Sequence, residues 1–181
     1  SGGGGDRPWV VAGGHAACNA EAISRFIDAA VLGDGEQAAV DISDCIAAFK
    51  AEGSPDGRAG LLARLAELDG VYVPSFYDVD YLPDGRIHRV VPNRPEAPWR
   101  VAKRTVMDLD EWPYPKAPLV PLAETVHERS SVEIFRGCTR GCRFCQAGMI
   151  TRPVRERSIE TVGKIVAALD GIAATGRHST A

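Results

Sequence analysis

The stretch that decides the fold of the C-terminal part of this chain is VEIFRGCTRGCRFCQAG, residues 132–148. It contains three cysteines, Cys138, Cys142 and Cys145, in the spacing C-x3-C-x2-C. Iron–sulfur clusters are usually held by four cysteines, and structural zinc also takes four ligands. Three clustered thiolates are therefore an incomplete set, which can bind a four-iron cluster and leave one iron open to another ligand.

A zinc module is the main alternative, and it needs a fourth ligand. His127 lies well before Cys138 in the chain, and no separate C-x2-C pair stands elsewhere. We therefore favour an iron–sulfur cluster over a zinc site. The third alternative is a truncated protein in which the three cysteines bind no metal stably. The odd count of five cysteines also favours metal binding over disulfides, since we expect no secretory signal. Cys18 and Cys45 stand alone, and we predict that both are small buried side chains.

The motif resembles the signature of radical S-adenosylmethionine (SAM) enzymes, in which an aromatic residue precedes the last cysteine. That residue is Phe144, and Gly137 and Gly141 also fit the pattern. The segments EIFRGC and CQAGM, followed by RPVRERS at 152–158, are similar to bacterial radical SAM proteins with an N-terminal cobalamin-binding-type domain.

This resemblance implies a [4Fe–4S] cluster on the three cysteines and SAM bound to the open iron through its amino and carboxylate groups. It implies that electron transfer to SAM yields a 5'-deoxyadenosyl radical, which abstracts hydrogen from a substrate. A reductant such as flavodoxin or ferredoxin is implied as a partner, and Phe144 is implied to border the adenine of SAM. The substrate stays unknown, and we assign no catalytic residue.

The first fifty residues alternate apolar runs, turns and helical patterns, which predicts a parallel α/β layer. Trp9–Ala12 and Ala29–Leu32 are predicted strands, and Asn19 is predicted to cap a helix that ends near Asp28. A second helix is predicted over 37–52. Its apolar stripe would consist of Ala39, Ile42, Ile46 and Phe49.

Glycines follow both predicted strands, as Gly13 and Gly14 and as Gly33 and Gly35. These turns resemble the second half of cobalamin-binding domains, where glycine lets the backbone approach the cofactor. His15 lacks the preceding aspartate of the axial-histidine motif D-x-H-x-x-G. We therefore predict turns with a structural role, and we keep cobalamin as an alternative cofactor that we do not favour.

The middle of the chain predicts a helix at Arg58–Leu68 and a β-hairpin of Phe76–Tyr81 with Ile87–Val91. A proline-rich linker follows, with one strand predicted at Val101–Met107. Further strands are predicted at 71–73 and 132–135, and a last helix at Ile159–Ala174 with Ser158 as its cap.

The cysteine loop is also basic, and its arginines face only Glu133 and Glu156 as opposing charges. Such a run can steer an anionic substrate or raise the reduction potential of a cluster. We favour a solvated loop with local salt bridges. The arginines are Arg136, Arg140, Arg143, Arg152, Arg155 and Arg157.

The predicted fold is α/β in three parts. Residues 1–53 are the C-terminal half of a cobalamin-binding-type domain with a partial Rossmann-like layer, and 54–131 are the helix, hairpin and linker. Residues 132–181 are the start of a radical SAM (β/α) partial barrel. Because complete barrel enzymes run to about 250 residues, we expect this chain of 181 residues to be a fragment that is incomplete as an enzyme.

Composition excludes few classes of function. With 45% apolar and 25% charged residues, the chain is typical of soluble globular proteins. The formal charge of −3 gives no general attraction to nucleic acid or anionic membranes, although nucleic acid stays open as a partner. We expect a cytoplasmic protein without a membrane segment. His15, His88, His127 and His178 have no ligand partners at suitable spacing and are predicted surface or linker residues.

Overall fold

A computed structural model describes residues 7–114 and 131–174 of the chain. The chain divides into two compact units, Ser1–Val106 and Met107–Ala181. The boundary between the units falls within the segment that we predicted as linker. His127, His178 and the linker prolines 115, 118 and 121 lie outside the described residues.

The first unit contains a three-stranded mixed sheet in the order β1-β2-β3. Strand β1 (Val11–Ala12) runs parallel to β2 (Ala29–Val31), as predicted. Strand β3 (Val71–Tyr72) is antiparallel to β2, so the sheet is not purely parallel. Two helices separate β2 from β3, and the backbone N–H of Leu32 donates to the carbonyl of Gly70 at 2.8 Å. The chain has therefore returned to the same end of β2 before β3 begins.

The segment between β1 and β2 is a 3-10 helix over His15–Ile23, and our predicted helix from Asn19 to Asp28 is wrong in both bounds. Asn19 has non-helical dihedral angles at a kink and does not cap the helix. Ala17 and Ala20 pack against Ala30 of the sheet. Because these contacts use small side chains, the segment lies close to the sheet.

Helices α1 (Glu36–Ala51) and α2 (Gly57–Ala66) supply half of the buried residues in the main core cluster of the first unit. The buried residues of α1 are Ala38, Ile42 and Phe49. The predicted stripe contained Ala39 in place of Ala38, and Ala39 is exposed. On α2, Leu61 and Leu65 are each 1% exposed. Replacing such a side chain by alanine typically costs about 2–5 kcal/mol.

The predicted hairpin is present and consists of β4 (Tyr77–Tyr81) and β5 (Ile87–Pro92). A 3-10 turn at Pro74–Phe76 separates it from β3. Asp78 and Asp80 are exposed, and Asp80 accepts a hydrogen bond from Arg89 on the opposite strand. The hairpin thus holds its register by backbone pairing and by an ion pair between Arg89 and Asp80 on its exposed surface.

The strand that we predicted at Val101–Met107 is reduced to one parallel bridge between Gly33 and Arg104. Around it, the N–H of Arg104 donates to the carbonyl of Leu32 at 2.8 Å, and the N–H of Asp34 donates to the carbonyl of Arg104 at 3.0 Å. The guanidinium of Arg104 pairs with Asp41 on α1 at 2.5 Å. The segment therefore lies directly on the glycine turn that follows β2.

In the second unit, β6 (Phe135–Arg136) pairs antiparallel with β7 (Arg155–Glu156). The strand predicted at 132–135 is thus shifted and shorter. A one-turn helix, α3 (Ala147–Ile150), lies between these strands, and α4 (Ile159–Ala174) follows with the predicted bounds. Ser158 caps α4 as predicted, because its Oγ accepts from the N–H of Thr161 at 3.1 Å.

The structure therefore confirms the α/β class, with small sheets of two or three strands. Across the described ranges, no helix combines the length and apolar character needed to cross a membrane.

We predict that Gly33→Ala strongly destabilises the first unit. Gly33 has φ +101°, and an added Cβ would overlap the carbonyl oxygen of Arg104 and lie 2.7 Å from its nitrogen. Strained backbone alone costs about 1–3 kcal/mol, and the overlap adds to it. Chemical denaturation followed by circular dichroism measures the change. Gly13→Ala is the control because nothing lies within 4 Å of its Cβ position; equal midpoints for the two variants would contradict the prediction.

Candidate metal centre

The three cysteines lie on a loop that the β6–β7 pairing closes. Phe135 pairs with Glu156, and Arg136 pairs with Arg155. The loop therefore leaves one strand at Gly137 and returns at the start of the other. Both ends of the loop are fixed by backbone hydrogen bonds before any side chain contributes.

Gly137, the residue before the first cysteine, permits the sharp entry into the loop. Its φ is +89°, which is unfavourable for other residues. A Cβ at this position would overlap the carbonyl oxygen of Pro153 and lie 2.8 Å from that of Thr151. The outgoing and returning segments therefore touch directly at this glycine.

Two of the three sulfurs accept hydrogen bonds from backbone amides. The N–H of Arg140 donates to Sγ of Cys138 at 3.4 Å, and the N–H of Gly148 donates to Sγ of Cys145 at 3.3 Å. Such bonds stabilise thiolates and tune the potentials of iron–sulfur clusters. Cys142 is exposed, and its carbonyl accepts from the N–H of Cys145 at 3.1 Å.

All three cysteines are free thiols that are exposed or partly exposed. Among the described residues, no group of three or more His, Cys, Asp or Glu side chains is arranged to hold a single metal ion. A [4Fe–4S] cluster does not require such a point of convergence, because its thiolates bind different irons. The metal assignment of the cysteines therefore stays a prediction.

Phe144, between the second and third cysteines, is 91% exposed. Burial of an aromatic ring contributes strongly to stability, so an exposed ring contributes little packing energy to this unit. Its predicted contact with SAM is a separate question that stays a prediction.

Two arginines of the basic run are buried, so our prediction of a solvated loop is wrong for them. Arg155 is 5% and Arg157 is 7% exposed. Arg157 donates to the carbonyls of Leu109 and Trp112 and pairs with Glu133 at 3.0 Å. Sequence reasoning missed both. Their i, i+2 spacing is the signal that could have found them, because side chains two residues apart in an extended segment lie on one face.

Glu133 links this buried arginine to the strand that enters the loop. It pairs with Arg136 at 2.7 Å and with Arg157 at 3.0 Å. The hydrogen bond from Arg136 holds the pKa of Glu133 below its usual value, and the bond from Arg157 acts in the same direction against the effect of burial. The charged form is thus stabilised, and this network anchors β6.

The glycines of the first unit are not equivalent. Gly33 is packed against the backbone of Arg104, whereas Gly13, Gly14 and Gly35 have nothing within 4 Å of their Cβ positions. A cleft of about 790 Å³ lies beside this turn, between the ends of α1 and α2 and the segment 95–106. The backbone that approaches Gly33 closely is therefore that of Arg104 in the same chain, and not a cofactor.

The other two cysteines and the described histidines belong to the first unit. Cys18 is exposed, so its predicted burial is wrong, and Cys45 is half-buried with a pKa raised by that burial. His15 and His88 are exposed, in line with our expectation.

Comparison with known proteins supports the resemblance at the N-terminal end of the chain. A family model described as "Radical SAM proteins, N-terminal" matches residues 4–74. The ribosomal protein uS12 methylthiotransferase RimO of Thermotoga sp. is 38% identical over 73 residues, which are 40% of this chain and 13% of that protein. The proteins of the same name from Thermotoga petrophila and Thermotoga maritima are each 35% identical over 77 residues.

The matched regions span 13–14% of the length of these relatives. No solved structure matches the chain. The family match covers most of the first unit, while the C-x3-C-x2-C motif lies in the second. Two separate parts of the sequence thus point to one family. The family match, the RimO relatives and the cysteine motif together support a relationship of this chain to the radical SAM proteins, a family of enzymes.

Proposed function

We propose that the chain binds a [4Fe–4S] cluster through Cys138, Cys142 and Cys145, with SAM at the open iron. It would thereby form the part of a radical SAM enzyme that generates a 5'-deoxyadenosyl radical. The observation that carries this proposal is the geometry of the cysteine loop. Two of its sulfurs accept backbone N–H bonds, and its entry requires a glycine.

The donor set fits the proposed cofactors. Thiolates are the protein ligands of iron–sulfur clusters, and three of them leave one iron for SAM. When bound, the cluster supplies the one-electron chemistry, which side chains cannot perform. The amides of Arg140 and Gly148 would stabilise the thiolate form of Cys138 and Cys145. Phe144, which is exposed and precedes Cys145, would border the adenine of SAM.

The finer fold and domain assignments belong to the same proposal. Residues 132–181 would be the N-terminal part of a radical SAM partial barrel, and 1–53 the C-terminal half of a cobalamin-binding-type domain with a Rossmann-like layer. A flavodoxin or ferredoxin would supply the electron. The name of the relatives makes methylthio transfer to a ribosomal protein the first reaction to test.

Replacing any one of Cys138, Cys142 and Cys145 by alanine should abolish the cluster. Each supplies one of only three protein ligands, so its loss leaves two. The measurement is anaerobic reconstitution followed by visible absorption, iron and sulfide analysis, and the paramagnetic signal of the reduced protein. Wild type should hold about four irons per chain.

Cys18→Ala and Cys45→Ala are the controls, because both positions lie in the first unit. They should load iron like wild type. Stoichiometric zinc with no iron uptake would favour the zinc module, and absence of both metals would favour cysteines that bind nothing stably.

We predict that Gly137→Ala lowers cluster loading severely, whereas Gly141→Ala does not. Alanine at 137 meets a strained φ of +89° and the carbonyl of Pro153, while a Cβ at 141 has nothing within 4 Å. The strain alone is worth about 1–3 kcal/mol, which corresponds to about 5- to 150-fold in the population of the competent loop. Iron content after reconstitution checks this. Equal loading of the two variants would show that the contact at Gly137 does not matter for the site.

We predict that the first unit does not bind cobalamin. The backbone of Arg104 already occupies the approach to Gly33, and His15 is exposed without an axial-ligand motif. Titration with hydroxocobalamin should leave the visible spectrum of the cofactor unchanged. A tight stoichiometric complex would contradict the prediction and would indicate binding without a histidine ligand from this chain.

A further inference from the structure

The arginines at the return of the cysteine loop are arranged to hold it in shape. Arg155 is 5% exposed and lies on β7, the strand that closes the loop. Its Nε donates to the carbonyl of Pro153 at 3.0 Å, and its Nη2 donates to the carbonyl of Thr151 at 2.9 Å. The forked guanidinium therefore bonds two carbonyls of the returning segment at once.

These two carbonyls are also the atoms that border Gly137. A Cβ at Gly137 would overlap the Pro153 oxygen and lie 2.8 Å from the Thr151 oxygen. Arg155 thus fixes the surface against which the residue before Cys138 is packed. The side chain is buried, and its Nε and Nη2 donors are both engaged in this contact.

Arg152 makes a second connection across the loop. Its Nη2 donates to the carbonyl of Arg140 at 2.8 Å, and the N–H of Arg140 donates to Sγ of Cys138. The returning segment is therefore tied to the residue that bonds the first sulfur.

Thr151 extends the same network toward the third cysteine. Its Oγ1 donates to the carbonyl of Ala147 at 2.8 Å, and the adjacent Gly148 donates its N–H to Sγ of Cys145. The carbonyl of Thr151 accepts from Arg155 at the same time. Two separate paths therefore lead from the arginines to the amides that bond the sulfurs.

We propose that Arg155, assisted by Arg152, is a positioning residue that preorganises the three-cysteine loop for cluster binding. This role rests on the proposed function. A flexible loop must lose conformational entropy when it binds a cluster, and a loop already held in place loses less. The two fixed positive charges would also favour the anionic cluster with its thiolates and raise its reduction potential.

The first test uses the metal-free chain. Arg155→Met should raise amide hydrogen exchange at Arg140 and Gly148, and alkylation of Cys138 and Cys145 by iodoacetamide, by about tenfold, the effect of losing one charge-assisted hydrogen bond. Arg157→Met is the matched control, because Arg157 is similarly buried directly after β7 and its partners Leu109, Trp112 and Glu133 are not residues of the cysteine loop. Arg155→Lys should give an intermediate result, because a lysine cannot span both carbonyls.

Unchanged exchange and alkylation in Arg155→Met, or equal increases in Arg157→Met, would overturn the proposal. If Arg155→Met does not fold, Arg152→Met tests the proposal instead, because the hydrogen bond from Arg152 to the carbonyl of Arg140 crosses the loop. That variant should raise exchange at Arg140 selectively; no change there would overturn the proposal as well.

The second test uses the reconstituted protein. Arg155→Met should hold less iron than wild type and show a lower midpoint potential and an altered paramagnetic signal when reduced. If wild type takes up no cluster, the proposed function fails, whereas the exchange data on the metal-free chain still decide whether Arg155 orders the loop. If both proteins load equally with the same potential and signal, cluster binding stands and the positioning role is overturned.

Discussion

The closure of the cysteine loop at Gly137 is the constraint on which the candidate site depends. At this point two backbone segments touch with no room for a side chain, and the returning carbonyls are held by the buried guanidinium of Arg155. The entry, the return and the sulfur-bonding amides are thus parts of one connected arrangement. A looser contact at the glycine would release the segment that carries Cys138.

The first unit uses the same physical device for a different purpose. Gly33 permits a close approach of backbone to backbone, and the approaching segment contains Arg104 of the same chain. The pairing of Arg104 with Asp41 then fixes this segment to α1. A glycine turn after a parallel strand is therefore not by itself a sign of a bound cofactor, because a neighbouring segment can use the same space.

Both units contain buried charged side chains that form ion pairs with residues of opposite charge. Asp28, at 5% exposure, pairs with Arg7 and Arg58, and Arg157 pairs with Glu133. A buried ion without a partner would cost several kcal/mol, so each of these charges requires its partners to be in place. Such networks specify one arrangement of the chain around them more strongly than they add to its stability.

The sequence by itself determined the local features: the helix at 37–52, the hairpin, the Ser158 cap and the family resemblance of the cysteine motif. These depend on neighbouring residues, through periodicity, turn residues and capping, and so can be seen in the order of the residues. Only the tertiary structure decided that β3 runs antiparallel to β2, that Arg104 fills the turn at Gly33 and that Arg157 is buried against the carbonyls of Leu109 and Trp112. Each of these depends on which distant segments meet. The sequence predicts that an arginine in a basic run is exposed to solvent. The arginine is buried instead when the fold brings backbone carbonyls from a distant segment within hydrogen-bond distance of its guanidinium.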